Sequence, residues 1–155
     1  MKYSAGLLPF RTTAGTVEVF LVRMAGPYWA HKGDGAWSIA KGEYNPASED
    51  AWEVAQREFC EEVGMPAPAG ERTDLGEHRM PSGKRVRVFA VRTEATLRFI
   101  SCNLFDMEWP PGSGRIQQFP ETDAAAWFGL DEAAGKIVSG QREIVRVFAD
   151  NEALA

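Results

Sequence analysis

Gly42-Glu43-Tyr44-Asn45-Pro46-Ala47-Ser48-Glu49, followed after seven residues by Arg57-Glu58-Phe59-Cys60-Glu61-Glu62-Val63-Gly64-Met65, is the stretch on which the fold turns. Its second half reads as a helix. Ser48 is the expected N-cap, with Glu49 and Asp50 in the first turn, where negative charge suits the helix dipole. Gly64 stands where a C-terminal cap favours a left-handed residue, and Pro66 forbids continuation. At about 100° per residue, Trp52, Ala55, Phe59 and Val63 fall within roughly 80° of one another and form the core face. Glu58, Glu61 and Glu62 share a different arc of roughly 100°. Like charges three and four residues apart repel and weaken a helix. On an arbitrary helix a solvated acidic face would account for them. Here the carboxylates converge, Arg57 flanks them, a Gly-containing loop precedes them and a Gly cap follows. A hard divalent cation is what offsets such repulsion.

Outward from this helix, 5–11 and 17–24 read as two strands joined by the turn-like Thr12-Thr13-Ala14-Gly15. Gly26-Pro27 breaks the second, and 28–35 reads as a loop. A short strand over 36–40 leads into the box. After the helix, 74–80 and 85–93 read as strands joined by Pro81-Ser82-Gly83-Lys84. Val86, Val88 and Ala90 alternate with Arg85, Arg87 and Phe89, the period of a half-exposed strand. A further strand is expected over 97–104 and a loop over 108–119, which holds Pro110-Pro111-Gly112-Ser113-Gly114. Residues 124–130 lead into a helical C-terminus from about 131 to 149, interrupted at Ser139-Gly140. No repeat, linker or low-complexity segment divides the 155 residues, so a single domain over 1–155 is expected.

Composition narrows the function. The chain is 45% hydrophobic and 25% charged, enough to bury a core. Its net charge of -5 disfavours nucleic acid polymers and anionic membranes, which call for basic surface. No apolar run of transmembrane length occurs, and the N-terminus lacks a secretory h-region. Cys60 and Cys102 form no disulfide framework and read as reduced thiols of a cytoplasmic protein, with Cys60 a packing residue.

The spacing also resembles the Nudix box, the signature of enzymes that hydrolyse diphosphates linked to another group. Glu49, Arg57, Glu58, Phe59, Glu61, Glu62, Gly64 and Met65 match that pattern in register. Gly42 departs from it, with six residues instead of five before Glu49. The preceding strand pair, the following hairpin and the segment from Phe119-Pro120-Glu121 to Trp127-Phe128 extend the likeness across nearly the whole chain. Residues 37–44, the Pro-Pro-Gly-Ser-Gly loop and Phe119-Pro120-Glu121 together resemble one bacterial subgroup of predicted NTP pyrophosphohydrolases.

The resemblance implies an α/β Nudix fold, a mixed central β-sheet sandwiched between helices. It implies hydrolysis of the diphosphate linkage in a nucleoside diphosphate linked to another moiety: an NTP, a dinucleoside polyphosphate or a nucleotide sugar. Mg²⁺ or Mn²⁺ would be the cofactor, held by Glu58, Glu61 and Glu62, with a backbone carbonyl near Lys41 or Gly42 completing the set. Glu58, Glu61, Arg57 and Glu121 are the implied catalytic group, with Arg57 pairing with Glu49. Glu121 is the better distant candidate for general base and Glu108 the weaker. A homodimer is common in the family.

Lys84, Arg85 and Arg87 offer cations for phosphate, against the plainer reading of a charged face on an edge strand. His31 and Lys32 lie in a loop beside Trp29, and a lone loop His makes no constellation. Tyr28, Trp29 and Trp109 are large enough to stack on a base, but aromatics more often pack in cores, so none is assigned. Two other functions use the same fold: a nucleotide-sensing module without turnover, and a diphosphate isomerase. Intact carboxylates count against the first, and the missing extra acid and nucleophile against the second.

Overall fold

The computed structural model describes residues 1–30 and 34–151, so His31 and Lys32 lie outside the described residues. Strands β1 (Tyr3–Thr13) and β2 (Thr16–Met24) form the expected hairpin, closed by Ala14 and Gly15 at φ 50° and 80°. Two successive positive φ values match the twist of a two-residue hairpin turn. β3 (Trp37–Ser38) and β4 (Ala40–Tyr44) follow, then α1 (Ala51–Val63), β5 (Arg72–Arg79) and β6 (Arg85–Arg92). β7 (Leu104–Glu108) and β8 (Ile116–Pro120) make a separate two-stranded sheet. β9 (Thr122–Gly129), α2 (Leu130–Lys136), a 3₁₀ turn (Ser139–Gln141) and α3 (Arg142–Ala149) complete the order.

The main sheet is mixed. β1 runs parallel to β6, from Tyr3↔Arg85 to Phe10↔Arg92, and antiparallel to its other partners. Its two halves have different neighbours on the other side. The C-terminal half pairs with β2, whereas Tyr3 to Leu7 pairs with β4. β2 meanwhile turns to β3 at Val22 and Arg23 and to β9 along its outer edge. The hairpin therefore splays open, and the strand that carries the first box residues is wedged into the gap.

Both faces of this sheet are covered, because β1 and β6 are apolar at odd and even positions alike. Leu8, Phe10, Val86 and Val88 pack under Ile144, Val145 and Phe148 of α3. Ala5, Leu7, Phe89 and Val91 pack under Val54, Ala55, Phe59 and Val63 of α1. The mixed sheet between helices is the architecture expected.

Several local expectations are corrected. The N-cap of α1 is Asp50, not Ser48: its carboxylate accepts the Glu53 N–H at 3.1 Å. Residues 45–49 form a preceding turn, in which Glu49 N–H donates to the Asn45 carbonyl at 2.8 Å. β6 is an interior strand between β1 and β5, not an edge. Cys60 is exposed, not a packing residue; Trp52 keeps to the core face, half-buried against Phe89 and beneath Arg72. The expected loop over 108–119 is narrower, 109–115, since β7 reaches Glu108 and β8 begins at Ile116.

The strand expected over 97–104 is absent up to Leu104, and the reason is physical. The last carbonyls of a helix have no partner within it. Here the passing chain supplies donors: Ile100 and Ser101 N–H to the Val63 carbonyl, Asn103 N–H to that of Glu61. Backbone donors spent on a helix end are not available to a sheet. Gly64, at φ 83°, admits this passage, since a Cβ there would lie 2.6 Å from the Ser101 nitrogen.

Candidate functional site

The splayed hairpin, the acidic arc of α1 and the β8–β9 junction enclose a cleft of about 460 Å³. Glu58, Glu61, Glu62 and Glu121 line it together with Lys41, Gly42 and Lys84. Sequence positions spread from 41 to 121 thus converge.

Glu62 is the deepest, 5% exposed. Its Oε2 accepts the Lys41 backbone N–H at 2.9 Å, and its own carbonyl accepts the Thr122 hydroxyl at 2.6 Å. One residue of α1 is therefore tied to β4 through its side chain and to β9 through its backbone. Burial pushes its carboxyl up to about 8, with Glu58 and Glu121 adding to the rise and Lys41 partly opposing it. Burial likewise raises Glu58, with Glu61 adding and Arg57 opposing. Glu121 is raised by burial and by Glu61. Its backbone is held from two sides, its N–H on the Asn103 carbonyl and its carbonyl on the Ala25 N–H, both at 3.1 Å.

Gly42 has a contact reason to be glycine. A Cβ there would collide with the Glu58 carboxylate. The residue one position beyond the expected spacing is thus the one against which a box glutamate rests. On β4 it is the Lys41 N–H, not a carbonyl, that meets a box carboxylate.

Arg57 stands outside the cleft, 3.3 Å from Glu49, 3.6 Å from Glu58 and 3.9 Å from Glu61. Glu49 also accepts the Asn45 N–H at 2.9 Å, and this bond first, then Arg57, holds its carboxyl below the usual range. Arg57 thereby fastens the turn before α1 to the acidic arc.

Of the three cations proposed for phosphate, only Lys84 lines the cleft, 3.4 Å from Glu43. Arg85 pairs with Glu77 at 3.5 Å and Arg87 with Asp74 at 2.7 Å. Glu108 takes no part in the cleft: it accepts the Gly112 N–H at 2.5 Å and holds the proline-glycine turn. Trp29 lines the cleft, and Trp109 lines the cavity beside it, in edge contact with Tyr28. Sequence reasoning missed the Lys41 N–H, Thr122 and Phe105. Lys41 and Thr122 adjoin Gly42 and Glu121, but only their backbone and tertiary partners mark them out.

Among the described residues no three carboxylate, His or Cys side chains form a finished cage for a metal ion. The donors nevertheless fit a hard divalent cation in kind. Four carboxylates share one cleft, and three are raised, by burial first and then by one another's charge. An oxygen-rich site short of positive charge suits Mg²⁺ or Mn²⁺.

Comparison with known structures bears on the fold. The NUDIX domain of Shewanella oneidensis NrtR, solved with ADP ribose, superposes with a TM-score of 0.63 at 11% identity, covering 96% of this chain and 86% of that one. An Ap4A hydrolase of C. elegans superposes at 0.60 with 22% identity, covering 96% of both chains. MutT, from a study of Aliivibrio salmonicida and Vibrio cholerae, superposes at 0.57 with 14% identity, covering 97% and 98%. At these identities the likeness is one of fold. No curated protein sequence matches the chain. The family model of the NUDIX domain matches residues 2–148, nearly the whole length, and the chain belongs to the Nudix domain family.

Proposed function

We propose that this chain acts as a single Nudix domain hydrolysing the diphosphate linkage of a nucleoside diphosphate joined to another moiety, with Mg²⁺ or Mn²⁺ as cofactor. The observation that carries the reading is buried Glu62, fixed by the Lys41 N–H beside Glu58, Glu61 and Glu121. A solvated acidic helix face would not bury one of its acids. Family membership, and structural relatives that include an Ap4A hydrolase and a domain bound to ADP ribose, support the same class.

Glu58, Glu61 and Glu62 would hold the cation, with the backbone at Gly42 alongside. When bound, it would neutralise the diphosphate oxygens and acidify a water. The protein's own groups do the rest. Lys84 presents a point charge to the phosphates. Glu121, raised by burial and Glu61, is a stronger proton acceptor than an ordinary carboxylate. The oxygen of water bonds to one phosphorus, the bridging oxygen departs with the other phosphate, and the released proton passes to Glu121. Arg57 is a positioning residue, holding Glu58 and Glu61 by charge while anchored on Glu49.

The test is a panel of nucleotide diphosphate derivatives assayed with Mg²⁺ or Mn²⁺, beside Glu62→Gln. Turnover by the native chain should fall about a hundredfold or more in the variant, the scale of a lost transition-state interaction. No turnover in either protein would sink the hydrolase reading. Equal turnover in both would sink the role of Glu62.

A further inference from the structure

The cleft does not end at the carboxylates. It runs into a cavity of about 490 Å³, with which it shares Met24, Ala25 and Trp29. Trp29, Trp109, Phe119 and Pro27 line this space, and the Arg23–Asp123 ion pair, 2.7 Å apart, stands at its wall. Flat apolar surfaces beside one charged donor and one charged acceptor suit a planar heteroaromatic ring with a polar edge.

The cleft also runs into a second cavity of about 340 Å³, with which it shares Lys41 and Lys84, while Met24 and Trp29 border all three spaces. Met80, Pro81 and Val138 supply apolar wall. That wall is built, not incidental. Buried Gln141 accepts the Ile39 N–H at 2.9 Å and donates to the Ser38 hydroxyl at 2.9 Å. The Cα of Gly140 comes close enough to the β5–β6 turn that a Cβ would lie 3.0 Å from Pro81 Cδ. Both lysines stand where the two spaces join.

We propose that the substrate carries an apolar-faced ring system at each end of its phosphate chain, as a dinucleoside polyphosphate does. One base lies among Trp29, Trp109 and Phe119, the phosphates cross the acidic cleft beside Lys41 and Lys84, and the second nucleoside enters the cavity of Met80, Pro81 and Val138. This deepens the hydrolase reading and rests on it. A nucleoside triphosphate would leave the second cavity empty or force a charged phosphate against apolar wall, which costs solvation. A bare sugar would face that wall with hydroxyls, and Gln141 is already spent on Ile39 and Ser38.

Diadenosine tetraphosphate, ADP-ribose and ATP distinguish these cases. With Mg²⁺, kcat/KM should be about tenfold or more higher for the dinucleoside, the scale of one filled apolar subsite. Val138→Trp, which fills the second cavity, should lower the dinucleoside-to-ATP ratio about tenfold. Pro81→Glu on the exposed turn should lower it in the same direction, which guards against misfolding of the first variant. Trp109→Ala should weaken all three substrates. The same preference is read by calorimetry in Glu62→Gln, where turnover is not needed. Preference in binding without turnover would overturn hydrolysis alone. Turnover that favours ATP or ADP-ribose, or a ratio unmoved by both cavity variants, would overturn the two-ended substrate alone.

Discussion

Gly42 shows how one missing side chain places another. Its neighbours on β4 carry side chains, but at 42 the space is filled by the Glu58 carboxylate. Gly42→Ala should push that carboxylate aside and lower kcat about a hundredfold, as misplacement by an ångström can do. Since only the far end of a flexible side chain must move, the melting temperature should shift little. A steady-state assay with a thermal melt checks both; unchanged kcat would remove Gly42 from the site. The identities Arg57, Glu58, Glu61 and Glu62 were legible in the sequence because charge spacing on a helix is local. What distinguishes Glu62 from its neighbours was not, since its burial depends on β4 and β9, which are distant in sequence. The exposure of Cys60 was missed for a related reason. Its position lies just outside the arc that meets the sheet, and periodicity does not fix an arc's edge.

At the scale of the element, α1 is bounded by contacts that differ in how far they reach. Asp50 caps the N-terminus by a bond spanning three residues, while the C-terminus is completed by Ile100, Ser101, Asn103 and Thr122. Asp50→Ala should cost about 1 kcal/mol, the usual value of an N-cap. That should lower the melting temperature by about 2–4 °C in a chain of this size. Asp50 does not line the cleft, so kcat/KM should hold; a large loss of activity would mean the cap also sets the carboxylates. Strands β1, β2 and β6 could be read from their apolar runs. The segment 97–104 could not, because its backbone answers the end of a helix it does not adjoin in sequence. The β3–β4 wedge was equally hidden, since a single short run became two strands on different partners.

Across the whole molecule, the cleft makes stability depend on pH. Glu62 is held at about 8 in the fold, well above an ordinary carboxylate in the unfolded chain. Folding therefore takes up a proton between those values. The stability is present in full below the ordinary carboxylate range and is lost as pH rises through about 8. Glu58 and Glu121, also raised, act in the same direction. In chelator, the melting temperature should fall between about pH 5 and about pH 9, and Glu62→Gln should reduce that fall. A variant profile as steep as the native one would show that Glu62 does not set it. The Lys41 N–H adds a kinetic side to the same contact. It is a backbone hydrogen held by a side chain from another element. Its exchange with deuterium should therefore time the separation of α1 from β4, slowing with added Mg²⁺ only if the cation stiffens that join. A single amide would thus serve as a clock for the assembly of a site whose parts lie as much as 97 positions apart, from Met24 to Glu121.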